Sequence, residues 1–229
     1  MRKNLLKLAV PTIVAISATF ATTANAFVVN FDADSSLGGI NFSTGEADAD
    51  ALGSNLRLEV VNGTTAGTID FIFRNNDSVY DSTINDLYFG SDPLFASVFD
   101  FVGFTAAFGQ VAFSEGANPS APPGMQSFAS FAADSDSPVM QNGIGAGEML
   151  TVTFDNISDP EWTLAQIESA FATGELAVII HVQSIDGDQL GISQWYSTNP
   201  PTDAAEPSSL ALLALGLAGV GFSRRLARK

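Results

Sequence analysis

The stretch NLRLEVVNGTTAGTIDFIFRN, residues 55–75, determines the fold class that the sequence predicts. Apolar residues occupy every second position in both halves of the stretch, a period that places them on one face of a β-strand. These positions are Leu56, Leu58, Val60, Ile69, Phe71 and Phe73. The central NGTTAG is rich in turn-forming residues. The stretch therefore predicts two strands, each with one buried face, joined by a turn.

The same alternation returns later in the chain. MLTVTFD (149–155) and ELAVIIHV (175–182) are two further alternating runs, and the turn-forming segments NPSAPPG and NGIGAG lie between the runs. Many short alternating strands joined by such turns are typical of antiparallel β architectures. We therefore expect residues 27–198 to form a mainly β body, an antiparallel β-sandwich or a jelly-roll-like variant of it.

One segment, TLAQIESAFATG (163–174), has the period of an α-helix instead. Thr163 and Gln166 have the spacing of a capping box, and Gly174 provides a stop. Four apolar positions fall on one side: Leu164, Ile167, Ala170 and Phe171. The sequence thus predicts one short α-helix that covers part of the sheet.

The chain is strongly acidic between its two ends. Residues 27–205 contain only 2 basic residues, Arg57 and Arg74, but 24 acidic ones, for a formal charge of −22. Nucleic-acid binding requires clustered Lys and Arg, so such a field repels phosphate backbones. No lysine lies between Lys7 and Lys229, and a phosphate-binding loop with its lysine is therefore absent. We expect neither nucleic acid nor a nucleotide as a partner.

The first 26 residues have the three parts of a secretory signal peptide in the usual order. The basic MRKNLLK is followed by the apolar LAVPTIVAISATF and then by Ala24, Asn25 and Ala26, which include the small residues of a cleavage site. This arrangement predicts export, with cleavage between Ala26 and Phe27. Because the chain has no cysteine, the exported body must rely on its packed core and on any bound ions for stability.

The C-terminal end combines a proline-rich segment, an apolar segment and a basic cluster. Residues 199–207 lack apolar periodicity and predict an extended spacer that contains a processing region. Ser208–Ser223 is uncharged, and a helix of that length spans about 24 Å. The basic cluster consists of Arg224, Arg225, Arg228 and Lys229. Because basic side chains extend to the membrane surface and stay on the cytoplasmic side, residues 208–229 predict a transmembrane helix with a basic stop.

A Glu-Pro step at Glu206 and Pro207, small residues, an apolar helix with glycines and a terminal arginine cluster resemble the PEP-CTERM sorting signal of bacterial envelope proteins. Ala205 stands where the motif has its first proline. The resemblance covers residues 205–229. It implies that an exosortase in the inner membrane recognises and cleaves the tail, after which the protein reaches the cell surface or the extracellular matrix. It also implies a host bacterium that produces exopolysaccharide.

Carboxylates spaced two residues apart make calcium the candidate ion of the acidic body. The candidate ligands are Asp32, Asp34, Asp48, Asp50, Asp186 and Asp188. From Asp32, however, the sixth and twelfth positions are Leu37 and Ser43, where a calcium-binding EF-hand has Gly and Glu. The sequence therefore favours solvated acidic loops over a calcium site, and it predicts no other cofactor.

One histidine and three aromatic residues remain as candidate contact groups. His181, the only histidine, lies between two inward-facing residues of a predicted strand, so we expect it on the opposite face in a structural role. Trp162, Trp195 and Tyr196 are residues of the type that stacks on sugars, although ordinary packing is the favoured interpretation. Since Trp195 and Tyr196 are adjacent, a strand would place them on opposite faces.

Three classes of function are consistent with these observations. The favoured one is a surface or matrix-associated structural protein delivered by its tail, and the next is a carbohydrate-binding module for exopolysaccharide. The third is a secreted glycan hydrolase, whose two carboxylates no spacing selects. The chain has no Gly-x-Ser-x-Gly nucleophile motif. The sequence therefore predicts a protein that is not an enzyme.

We expect the exported protein to begin at Phe27, because signal cleavage requires small residues at the two positions that Ala24 and Ala26 occupy. Replacing both with arginine should leave the precursor uncleaved, whereas Asn25→Gln between them should be processed like the wild type. N-terminal sequencing and intact mass of the exported protein check this. A mature N-terminus far from Phe27, or normal processing of the double variant, would contradict it.

Overall fold

A computed structural model describes residues 26–33, 51–90, 94–116, 129–185 and 193–198 of the chain. The strands of this part are β1 (Ala26–Ala33), β2 (Leu56–Asn62), β3 (Thr68–Asn75), β4 (Thr83–Gly90), β5 (Phe99–Phe108), β6 (Phe113–Glu115), β7 (Ala129–Ser135), β8 (Met149–Asn156), β9 (Ala177–Gln183) and β10 (Gln194–Thr198). Helices α1 (Leu94–Val98), α2 (Val139–Asn142) and α3 (Leu164–Thr173) lie between strands of this series.

The alternation in residues 55–75 forms two neighbouring strands, as predicted. β2 and β3 pair antiparallel, with Leu58 opposite Phe73 and Val60 opposite Phe71. These four side chains are fully buried, whereas Arg57 on the other face of β2 is exposed. Burying one face of each strand is the main source of stability of such a pair, since apolar area leaves water.

All the described strands belong to one antiparallel order, β5-β8-β3-β2-β1-β10-β9-β4-β7-β6. β1 lies in its middle and has two partners: residues 26–30 pair with β2, and residues 31–33 pair with β10. We call β5, β8, β3, β2 and the start of β1 the first layer. The end of β1, with β10, β9, β4, β7 and β6, is the second layer. The mainly β antiparallel fold is confirmed, but the layers are not the separate sheets of the predicted sandwich, because β1 continues from one into the other.

Phenylalanine rings fill the space between the two layers. Phe71 of the first layer and Phe89 of the second meet edge to face, with ring centroids 5.4 Å apart and an interplanar angle of 87°. Phe89 also contacts Phe154 of β8 at 5.2 Å. Perpendicular contacts of this kind add about 0.5–1.5 kcal/mol per pair to the burial of the rings. The aromatic contacts therefore bind the inner faces of the layers to each other.

Helix α3 begins and ends where the sequence indicates. The Thr163 hydroxyl accepts from the backbone N–H of Gln166, and the Gln166 side chain accepts from the backbone N–H of Thr163, which completes the capping box. Gly174 follows in the left-handed conformation, with φ of 74°. The predicted apolar side is buried, and the ring centroid of Phe171 lies 6.0 Å from that of Phe27 in β1. Sequence reasoning missed α1 and α2, which have only 5 and 4 residues and so no period to detect.

β5 lies at one end of the strand order, and no described strand pairs with its outer edge. Its register against β8 shifts between Phe101 and Gly103, and shifts again between Ala106 and Phe108. Val102 and Phe108 are 53% and 64% exposed. The strand is therefore apolar on the surface but is interrupted by two irregularities of the β-bulge type.

The loop between β3 and β4 folds around a buried carboxylate. Asp77 is 2% exposed; the N–H groups of Val79 and Tyr80 donate to its Oδ1 at 2.9 and 3.1 Å. The N–H and hydroxyl of Ser82 donate to its Oδ2 at 3.2 and 2.9 Å. Burial by itself raises the pKa of Asp77, but these hydrogen bonds together hold it below the usual value. The ionised carboxylate thus fixes the path of the chain from the first layer to the second.

Asp77→Ala should lower the free energy of unfolding by about 2–3 kcal/mol at neutral pH, because charge-assisted hydrogen bonds are lost and the two donors of Ser82 stay buried. The lowered pKa means that this contribution is complete above the unfolded-state value of about 3.9 and disappears as the pH falls through the folded-state value. The difference in the free energy of unfolding between wild type and Asp77→Ala should therefore become smaller as the pH falls. Urea unfolding at several pH values measures it.

Asp81→Asn is the matched control, since it removes one negative charge from an exposed position of the same loop. It should change the free energy of unfolding little, with no comparable pH dependence. A stability difference between wild type and Asp77→Ala that is absent at neutral pH, or that grows as the pH falls, would contradict the role given to Asp77.

Candidate functional site

The outward faces of the two layers hold the polar side chains that the core excludes. On the second layer, strand pairing places five outward residues in one row across the strands, each directly opposite the next. In order from β10 to β6 they are Trp195, His181, Asp86, Asp134 and Ser114. The row brings residues far apart in the sequence into contact.

His181 lies at the centre of this row with a partner on each side. Its Nδ1 is 2.7 Å from Oδ2 of Asp86, and its ring stacks on Trp195 with centroids 4.2 Å apart and planes 12° apart. The Nε2 of Gln183 is 3.2 Å from the same Nδ1. An ionised carboxylate only accepts hydrogen bonds, so the pairing with Asp86 requires a proton on Nδ1. The outward placement predicted for His181 is confirmed, and the contacts fit its predicted structural role.

Asp86 was not among the residues that the sequence singled out. In β4, the register shifts between Ile84 and Asp86, and this irregularity turns the carboxylate to the outer face. Ile84 and Leu87 both remain in the core although two residues separate them. Simple alternation therefore gives no signal for the Asp86–His181 pair.

Tyr88, two residues further along β4, lies beside this row. Its ring is 5.7 Å from that of Trp195, and the residue is 2% exposed. Burial raises the pKa of the Tyr88 hydroxyl, and the carboxylates of Asp86 and Asp134 raise it further. The Tyr88 hydroxyl is buried with no hydrogen-bond partner among the described residues. The phenol is therefore neutral in this environment.

The outward face of the first layer has a polar groove of about 340 Å³, which we call the threonine groove. Its threonines are Thr64, Thr65, Thr68, Thr105, Thr151 and Thr153. The register places Asp70, Thr153 and Gly103 side by side on three strands, with Thr105 opposite Thr151 in the next row. The Thr153 hydroxyl donates to Oδ1 of Asp70 at 2.7 Å. The alternation that buries one face of β3 and β8 thus exposes this row of hydroxyls.

A smaller cavity of about 200 Å³ adjoins the threonine groove and shares Thr65 and Thr68 with it. Glu161 and Trp162 form part of its far side. Trp162 also packs against the main core, and its backbone N–H lies within hydrogen-bond distance of Asn156 Oδ1 and Ser158 Oγ. Trp162 is therefore a packed residue that contributes to the wall of a surface cavity.

The other two aromatic candidates separate as adjacent strand residues should. Tyr196 is completely buried in the main core, whereas Trp195 belongs to a small cluster with Tyr88 and Ile179 on the outer face. The prediction of opposite faces is confirmed. Both residues pack against the protein itself.

Most of the candidate calcium ligands lie outside the residues that the structure describes. Asp32 is exposed on β1; the others, Asp34, Asp48, Asp50, Asp186 and Asp188, lie outside the described residues. Within the described ranges, no group of three or more His, Cys, Asp or Glu residues is placed to hold a metal ion.

Most of the predicted sorting residues also lie outside the described part. Ala24 and residues 199–229 are among them, with Ala205, Glu206, Pro207 and the basic stop. Of the predicted cleavage site, Ala26 opens β1 and Phe27 is buried in the core, so the expected mature chain keeps every inward-facing residue of that strand. No helix in the described residues has the length and apolar character needed to cross a membrane.

Comparison with known protein families gives one result, at the C-terminal end. Residues 206–225 match the family model of the PEP-CTERM protein-sorting motif. The resemblance found in the tail sequence is thereby confirmed. No curated protein and no solved structure matches the chain.

Asp86→Ala should destabilise the protein by about 1–3 kcal/mol, because the buried imidazole of His181 loses the acceptor of its Nδ1 proton. Asp86→Asn should destabilise the protein less, since its amide oxygen can still accept a hydrogen bond from that N–H group. Ser114→Ala, at the exposed end of the same row, is the control and should be close to neutral. Urea unfolding measures all three, and equal stability of the alanine and asparagine variants would contradict this account of the pair.

Proposed function

We propose that this protein is a surface or extracellular-matrix protein with a structural role, delivered by an exosortase-type sorting signal in a bacterium that produces exopolysaccharide. The observation that carries the proposal is the match of residues 206–225 to the PEP-CTERM protein-sorting motif. The match supports an exported protein with a sorting tail, for which the exosortase is a transient partner.

In this proposal, the parts of the tail act in series. The signal peptide starts translocation, and residues 208–229 then hold the chain in the inner membrane. The terminal arginines keep the C-terminus inside, each basic charge contributing about 1 kcal/mol near an anionic surface. Glu206 and Pro207 mark the region that the exosortase processes, and the spacer 199–207 keeps that region accessible outside the membrane.

The described body has properties that suit a long-lived extracellular component. It has no cysteine, so its stability does not depend on the redox state outside the cell. The two layers share one continuous apolar core rich in phenylalanine. The formal charge of −22 over residues 27–205 favours solubility. We propose that the mature protein associates with the exopolysaccharide of the matrix and performs no catalysis there.

Deletion of residues 205–229 should convert the protein into a soluble secreted form with no membrane-bound precursor, because the segment proposed to stop translocation is then missing. Cell fractionation with immunoblotting of membrane, surface and medium fractions measures this. A deletion variant distributed like the intact protein would overturn the proposed role of the tail.

Two further variants separate the steps. Replacing Arg224, Arg225, Arg228 and Lys229 with glutamine should weaken retention in the membrane, since the positive stop is removed. Changing Glu206 and Pro207 to alanine should leave insertion intact and cause full-length precursor to accumulate. Asp203→Ala, which changes the spacer beside the motif, is the matched control and should be processed normally.

A further inference from the structure

We infer that the threonine groove on the first layer is a binding site for a neutral glycan chain. The inference rests on the proposed association of the protein with matrix polysaccharide, and it assigns that association to particular residues. It depends on three properties of the groove: its unpaired hydroxyls, its charge and its shape.

The groove supplies hydrogen-bonding groups that the protein itself does not use. The hydroxyls of Thr64, Thr65, Thr105 and Thr151 have no hydrogen-bond partner in the part of the chain that the structure describes. Thr68 and Thr153 use their proton, for the carbonyl of Thr65 and for Asp70, but each keeps lone pairs as an acceptor. A sugar ring presents hydroxyls that both donate and accept, so it matches such a surface along its whole edge.

The charge of the groove selects against acidic ligands. Asp70 is the only ionisable residue among the described residues that line it, and strand pairing places Glu59, Asp100 and Asp155 at outward positions of nearby rows. Arg57 and Arg74 are also on this face, but neither is among the residues that line the groove; the Nε of Arg74 is paired with Glu59 at 3.6 Å, and its guanidinium contacts Met149. The described lining thus holds the carboxylate of Asp70 and no cation, so an anionic polysaccharide would be repelled there, whereas a neutral one would not.

The shape of the groove depends on a missing side chain. Gly103 lies opposite Thr153 on β5, and a Cβ added there would meet no atom within 4 Å. Val102, which is 53% exposed, gives the groove an apolar side against which the C–H face of a sugar can pack. Its volume of about 340 Å³ reaches the range of roughly 300–1,000 Å³ that is usual for small-ligand sites.

The adjoining cavity extends the groove in one direction. It shares Thr65 and Thr68 with the groove, and Glu161 and Trp162 also line it. A ligand longer than one ring can therefore contact both cavities. The geometry fits a segment of a polymer better than a single sugar.

The test is isothermal titration calorimetry on the exported protein purified from its producing cells. The neutral probes are cellohexaose, maltohexaose and isomaltohexaose, and the charged probe is a hexamer of galacturonic acid. We expect at least one neutral hexamer to bind and the charged hexamer to bind at least tenfold more weakly.

Gly103→Leu is the decisive variant, because it fills the groove from an open position where the backbone is not strained. It should weaken binding of the neutral hexamer at least tenfold. Ala107→Leu places the same side chain at an exposed position of β5 outside the groove and should leave binding unchanged. Thr151→Val removes one unpaired hydroxyl at nearly constant shape and should weaken binding about three- to tenfold.

The outcomes separate this inference from the proposed function. If a neutral hexamer binds equally well to wild type and Gly103→Leu, the groove is not the site, while association with polysaccharide stands. If none of the hexamers binds, or the charged hexamer binds best, a neutral-glycan groove is wrong. Delivery to the matrix is judged independently, by the fractionation of the tail variants.

Discussion

The change of partner within β1 is the constraint on which the rest of the structure depends. The strand leaves β2 after Asn30 and continues along β10 from Phe31. Its inward residues Phe27 and Phe31 therefore belong to one strand but line both layers of the core. Hydrogen bonding along β1 sets how one layer lies over the other, and every contact between the layers follows from that placement. It also removes two free strand edges that separate sheets would have.

Given this placement, aromatic packing holds the two layers together, a function that disulfides have in many small exported proteins. Phe89 of β4 contacts Phe71, Phe73 and Phe154 of the first layer at centroid distances between 5.2 and 5.7 Å. Large rings bury much area for each ordered residue, and their edge-to-face contacts are directional. The core thus holds its two layers in one alignment with no covalent cross-link.

Local pattern was enough to predict the parts of the fold that depend on neighbouring residues. Alternation in β2, β3, β8 and β9 identified the buried faces, and Thr163 with Gln166 located the start of α3. The partner change of β1, the irregularity before Asp86 and the pairing of Asp86 with His181 depend on contacts between distant segments. A single sequence has no signal for them. For the same reason, the sequence predicts the threonines of the groove only as turn and strand residues. The tail was recognisable because its motif is contiguous.

The two irregularities of β5 affect how copies of the protein interact when they are densely packed. An uninterrupted apolar edge strand is a template on which another chain can add its own strand, and repeated addition of that kind produces fibrils. On β5, such an incoming strand would have to cross a break beside Val102 and a second one before Phe108. Neither break can be matched by a straight strand, so the ladder of hydrogen bonds stops after a few residues. A body with this edge can be packed densely, as in a surface layer, without a growing fibril starting from it.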